Sequence, residues 1–152
     1  MSTVMERLAE AGMALPAPAR PAGAYVPAVV ADGFVFTSGQ LPMVDGSLVA
    51  IGLVGQDVSV DAARECARVC ALNALAAAAT VCDLDTVVRA VKLTGYVASA
   101  GGFVTQPAVI DGASEVLAIA FGEAGTHARE AVGVARLPLD APVECSLVLA
   151  LG

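Results

Sequence analysis

Apolar residues recur along this chain with two periods, and the switches between them mark its elements. Val4, Leu8 and Ala11 fall on one face of a short helix over Thr3 to Ala11, with Glu6 and Glu10 on the other and Gly12 as its stop. Pro16, Pro18 and Pro21 then impose an extended connector. Alternation follows in two strands, Tyr25 to Ala31 and Phe34 to Gly39, joined at Asp32-Gly33, where both positions tolerate positive φ. A turn at Asp45-Gly46 leads to a short strand, Leu48 to Ile51. The period then becomes helical over Ala62 to Cys82, with Asp57 or Ser59 as cap. It returns to alternation over Val87 to Val97, and Asp83 or Asp85 ends the link before that strand. Thr105 as N-cap and Pro107 in the first turn open a last helix, whose Val109, Ile110, Ala113, Val116, Leu117, Ala120 and Phe121 repeat at helical spacing up to Gly122 and Gly125. Two alternating runs, Ala131 to Leu137 and Val143 to Leu149, close the chain, with Pro138, Asp140 and Pro142 between them. They read as a β-hairpin.

A β-rich start, helix, strand, helix and closing strands predict an α+β sandwich with two main helices on one face of a mixed sheet. The domain reading is an N-terminal extension over residues 1–20 and one domain over 21–152. That length suits a single core. With 57% hydrophobic and only 15% charged residues, the chain has little polar side chain to cover an isolated monomer, so part of its apolar surface is expected in a subunit interface.

The apolar stretch from Ala62 to Cys82 is broken by Arg64, Glu65, Arg68 and Asn73, which argues against a membrane span. Glu6 and Glu10 stand where a secretory signal would need a basic and then an apolar region, so a cytoplasmic location is expected. Cys66, Cys70, Cys82 and Cys145 are then expected as reduced, buried small residues. One histidine and no second cysteine pair disfavour zinc. A net charge of −7, with Lys92 the one lysine and seven scattered arginines, disfavours nucleic acid as a partner.

Candidate chemistry concentrates near the C-terminus. Arg129 precedes one closing strand and Glu144 opens the other. A planar guanidinium near a carboxylate can grip a small carboxylic acid and move a proton beside it. The surrounding run, H-A-R-E-A-V-G-V-A-R-L-P and then V-E, resembles the C-terminal signature of the RidA/YjgF family. T-S-G-Q-L-P, Thr37 to Pro42, is similar to a second segment of that family, and G-A-Y-V, Gly23 to Val26, to a third.

The resemblance covers the chain from about Pro21 to its end. It implies a chorismate-mutase-like fold assembled as a homotrimer, with ligand sites at the subunit clefts. It further implies that Arg129 holds a substrate carboxylate, that Tyr25 and Ser38 line the site, that Gly39 contributes backbone and that Glu144 serves the attacking water. The backbone N–H of Ala131 would add a donor. The implied activity is hydrolysis of a small 2-imino acid or its enamine to ammonia and a keto acid, without metal or organic cofactor. Chorismate mutation itself would need several converging cations.

Four positions depart from the family pattern. Ala131 stands for a cysteine, Ser146 for the second acid of E-x-E, Asp111 for an asparagine and His127 for a proline. Asp111 is expected at the ligand site, where its charge would oppose a carboxylate substrate. Two further readings therefore stand beside imine hydrolysis: a non-catalytic binder of small carboxylates, and another reaction in the same cleft.

Overall fold

The computed structural model describes residues 1–21 and 23–152. A five-stranded mixed sheet, ordered β1-β2-β7-β5-β6, carries the helices on one face. Its elements are α1 (Val4–Glu10), β1 (Ala28–Ala31), β2 (Phe34–Thr37), a small ribbon of β3 (Met43–Val44) and β4 (Ser47–Leu48), α2 (Val60–Ala78), β5 (Val87–Ala98), α3 (Gln106–Phe121), β6 (Ala128–Val134) and β7 (Val143–Leu151). This is the α+β plan with two main helices on a mixed sheet that the periodicity predicts.

Local chemistry explains most element ends. Thr3 and Glu6 form a reciprocal capping box that starts α1. Asp32-Gly33 and Asp45-Gly46 take positive φ at both positions, closing β1–β2 and β3–β4. Of the two possible caps for α2, Ser59 is the one used, its hydroxyl accepting from Ala62 N–H at 3.1 Å. Thr105 stands at the N-cap of α3 but makes no side-chain cap bond. β1 and β2 are shorter than alternation suggests, and of the strand expected over Leu48 to Ile51 only Leu48 is in one, as the last residue of Ser47–Leu48.

Small residues let the layers approach. A Cβ on Gly112 of α3 would lie 2.2 Å from the Arg64 carbonyl of α2, and one on Gly95 of β5 would lie 2.5 Å from Ile110 of α3. The core between sheet and helices gathers Val35, Leu93, Val97, Leu147 and Leu149 from strands with Cys66, Cys70, Leu75, Ile110 and Leu117 from helices. Val4 and Leu8 of α1 belong to the same core. Cys66, Cys70 and Cys145 are buried and all four cysteines are free. Burial pushes the Cys66 thiol up to about 11 and raises that of Cys70 well above its ordinary value, so both stay protonated. Among the described residues no helix is long and apolar enough to cross a membrane.

The expected closing hairpin does not form. β6 runs parallel to β5, and β7 runs antiparallel to the other side of β5, so β5 separates the two strands. The chain from Val134 to Pro142 arches over the end of β5, where Ser99 N–H bonds the Val134 carbonyl and Ala98 N–H bonds the Pro142 carbonyl. The parallel pair follows from α3, a crossover long enough to carry the chain from the end of β5 back to its start.

Candidate functional site

Arg129 is held on the helical face of the sheet. Its neighbour on β5 is Leu93, fully buried toward the helices, and directly paired residues share a face. From there its guanidinium reaches α3: Nη1 donates to Asp111 Oδ1 at 2.7 Å and to Ser114 Oγ at 3.2 Å, and Nη2 to the Pro107 carbonyl at 3.4 Å. Asp111 and Ser114, three residues apart, present side chains to the same arginine, as helical spacing allows. Asp111 is therefore Arg129's ion-pair partner.

His127 extends this network. Gly125 carbonyl lies 2.6 Å from His127 Nδ1, and Ser114 Oγ lies 2.9 Å from Nε2. A carbonyl only accepts, so Nδ1 donates to it, and in the neutral ring Nε2 accepts the Ser114 hydroxyl. The Ser114 oxygen then keeps its lone pairs for Arg129. Asp111, Ser114, Glu115 and His127 border a cleft of about 410 Å³.

Glu144 occupies different ground. It pairs with Tyr96 across β5–β7, on the face away from the helices, as the burial of Val143, Cys145 and Leu147 on the opposite face requires. Burial raises its carboxyl above the usual range. Its carboxylate fills the space a side chain at Gly39 would take, since a Cβ there would lie 2.9 Å from Glu144 Cδ and Oε2. Glycine at this position is thus a requirement of close approach. Arg136 makes its ion pair with Asp140 at 2.8 Å, rather than with Glu144.

Ser38 binds the segment before β1 to this region: its hydroxyl donates to the Val26 carbonyl at 2.6 Å and its N–H to the Pro27 carbonyl at 2.8 Å. Tyr25, half exposed, and Gly39 border a second cavity of about 670 Å³. Ala131 lies on β6 beside Gly95, partly buried against the core. One chain therefore carries two groupings: Arg129, Asp111 and Ala131 with α3, and Tyr25, Ser38, Gly39 and Glu144 at the β1–β2–β7 side. Arg129 and Glu144 are two strands and three residues of register apart, roughly 14 Å by strand geometry, and on opposite faces.

The sequence reading missed Ser114 as a partner of Arg129. Its signal was a polar residue among Ala113, Val116 and Leu117, one helical turn after Asp111. The Pro107 carbonyl, a backbone acceptor in the first turn of α3, left no trace in residue types.

A family model described as "YjgF/chorismate mutase-like, putative endoribonuclease" matches residues 5–150. The chain belongs to the YjgF/chorismate mutase-like family. Protein TCP17 of Trypanosoma cruzi is 41% identical over 97% of this chain and 94% of its own. The crystal structure of a protein of unknown function from Agrobacterium tumefaciens superposes with a TM-score of 0.89 at 42% identity, covering 99% of this chain and 94% of the other. E. coli TdcF, solved with bound serine, has a TM-score of 0.61 at 28% identity, covering 90% of this chain and 94% of its own. The YjgF match begins at residue 5, so it takes in α1 from its second residue, including the core residue Leu8.

Proposed function

We propose that this chain is an imine and enamine hydrolase, acting as a cytoplasmic homotrimer on a small 2-imino acid or related carboxylate to release ammonia and a keto product. The observation that carries this reading is the setting of Arg129. Three acceptors on α3 fix its guanidinium beside an open cleft, and a fixed planar fork is suited to a carboxylate. The bound serine of E. coli TdcF is a ligand of the same chemical size, carrying a carboxylate and an amine.

In this reading the imine carbon is the electrophile. Arg129 orients the acid, water adds its oxygen at C2, and Glu144 carries the two water protons to nitrogen in turn: the first gives a carbinolamine, and with the second the C2–N bond breaks, the C2=O bond forms and ammonia leaves. Burial supports the role by raising the Glu144 carboxyl, which makes its carboxylate a stronger proton acceptor than an exposed one. Tyr25, Ser38 and Gly39 shape the Glu144 side. Because Arg129 and Glu144 face apart within one chain, the site requires two copies, Arg129 from one and Glu144 from its neighbour. Exposed Val29, Phe34, Phe36 and Val132 on the helix-free face support such an assembly.

One observation favours a second reading, a non-catalytic carboxylate binder: Arg129 already holds the Asp111 carboxylate, which weakens its pull on another acid. RNA cleavage, suggested by the family description, is disfavoured by the net charge of −7. The deciding experiment generates an imine in situ from an amino acid with an oxidase and times its loss with and without the protein. Hydrolysis supports the enzyme, whereas unchanged imine decay with measurable carboxylate binding supports the binder.

A further inference from the structure

We propose that the connector after α1 forms one wall of a subsite for an apolar substrate side chain. This makes the preferred substrates 2-imino acids with bulky aliphatic or aromatic groups. The inference rests on the imine-hydrolase reading for its reaction, but on a separate feature for its specificity. That feature is the cavity of about 670 Å³, within the roughly 300–1,000 Å³ typical of small-molecule pockets.

Its lining is mostly apolar. Ala14, Pro16, Pro18 and Ala19 of the connector face Leu41 and Met43 of the following segment and Val69 and Leu72 of α2. Arg20 and Asp45 are the charged residues on the lining. The prolines fix the connector's φ angles, so this wall is preorganised and ligand binding orders little extra chain. The opposite wall is held as well, because buried Asn73 of α2 donates from Nδ2 to the Leu41 carbonyl at 2.9 Å and the Met43 carbonyl at 3.0 Å.

Location ties the cavity to the chemistry. Tyr25 and Gly39 border it, and the Glu144 carboxylate packs directly on Gly39. A methyl group needs a small fraction of that space. Each buried CH₂ of a larger side chain would instead gain apolar contact, about 0.8 kcal/mol, or roughly fourfold in affinity. Preference for phenylalanine-derived over alanine-derived compounds should therefore exceed tenfold.

Titration calorimetry with phenylpyruvate and pyruvate, the keto products of the two imines, tests the subsite without needing turnover. Phenylpyruvate is expected to bind at least tenfold more tightly, and Ala19→Trp, which fills the cavity from the connector side, to bring the ratio down toward one. Leu72→Ala should move the ratio in favour of still larger acids. Equal affinities, absent phenylpyruvate binding, or a ratio untouched by Ala19→Trp would overturn the subsite. The two claims fail separately: tight phenylpyruvate binding with no imine hydrolysis sinks the hydrolase reading alone, and imine hydrolysis with no size preference sinks the subsite alone.

Discussion

Arg129 and Glu144 stand on opposite faces of one sheet, with β5 between their strands, although only fifteen positions separate them in sequence. A single copy cannot bring a guanidinium and a carboxylate so placed onto one small ligand. The proposed chemistry therefore depends on assembly.

Light scattering at micromolar concentration should return a homotrimer. The helix-free sheet face carries Phe34 and Phe36, exposed at 40% and 43%, and an isolated monomer would leave them in water. A monomeric mass would remove the shared site.

Arg129→Ala should abolish turnover and carboxylate binding while the fold survives, since Arg129 lies on the outer strand β6 and its partners Asp111 and Ser114 border the cleft. Loss of a charged hydrogen-bonded contact is on the order of 1.5–3 kcal/mol, or about tenfold to more than a hundredfold in affinity. Arg129→Lys should also be poor, because an ammonium cannot hold Asp111, Ser114 and a ligand with one planar fork. Wild-type affinity for pyruvate in Arg129→Ala, measured by calorimetry, would show that the arginine serves only α3.

Asp111→Asn should speed 2-iminopropionate hydrolysis several-fold. The carboxylate takes Arg129 Nη1 at 2.7 Å, and the neutral amide keeps an acceptor there without opposing the substrate's charge. Steady-state rates on the two proteins decide this. A loss of activity would mean that the Asp111 charge is needed for the protein's own reaction.

Glu144→Gln should lower the rate by removing the proton carrier, yet raise the melting temperature at neutral pH. Burial raises this carboxyl's folded pKa above its unfolded value. Its contribution is then most favourable below about 4.5 and is lost as pH rises through the folded pKa. The stability difference between variant and wild type should therefore grow from acid to neutral pH in thermal scans. A constant difference would contradict it.

How far the sequence disclosed all this depended on whether a feature was local. The Asp32-Gly33 turn, the capped helix α2 and the apolar stripe of α3 rest on near-neighbour chemistry, and each lies where the pattern predicts. The pairing of β6 and β7 does not, because alternation states which face a residue takes but not which strand lies beside it. Two adjacent alternating runs with prolines between them read as a hairpin, and the insertion of β5 is a property of the whole topology. The site followed the same division. Arg129 and Glu144 were legible as residue types in motifs, whereas the Asp111–Arg129 pair, the Ser114 link to His127 and the separation of Arg129 from Glu144 arise from tertiary placement.

The central claim, one active site built from two copies, is tested most directly by complementation. Arg129→Ala and Glu144→Gln chains carrying different tags would be co-expressed, and the mixed oligomers purified through both tags and assayed for imine hydrolysis. Each variant alone should be inactive. A mixed trimer contains one site with both wild-type groups, so about a third of wild-type activity should return. Mixed oligomers as inactive as the separate variants would contradict the account.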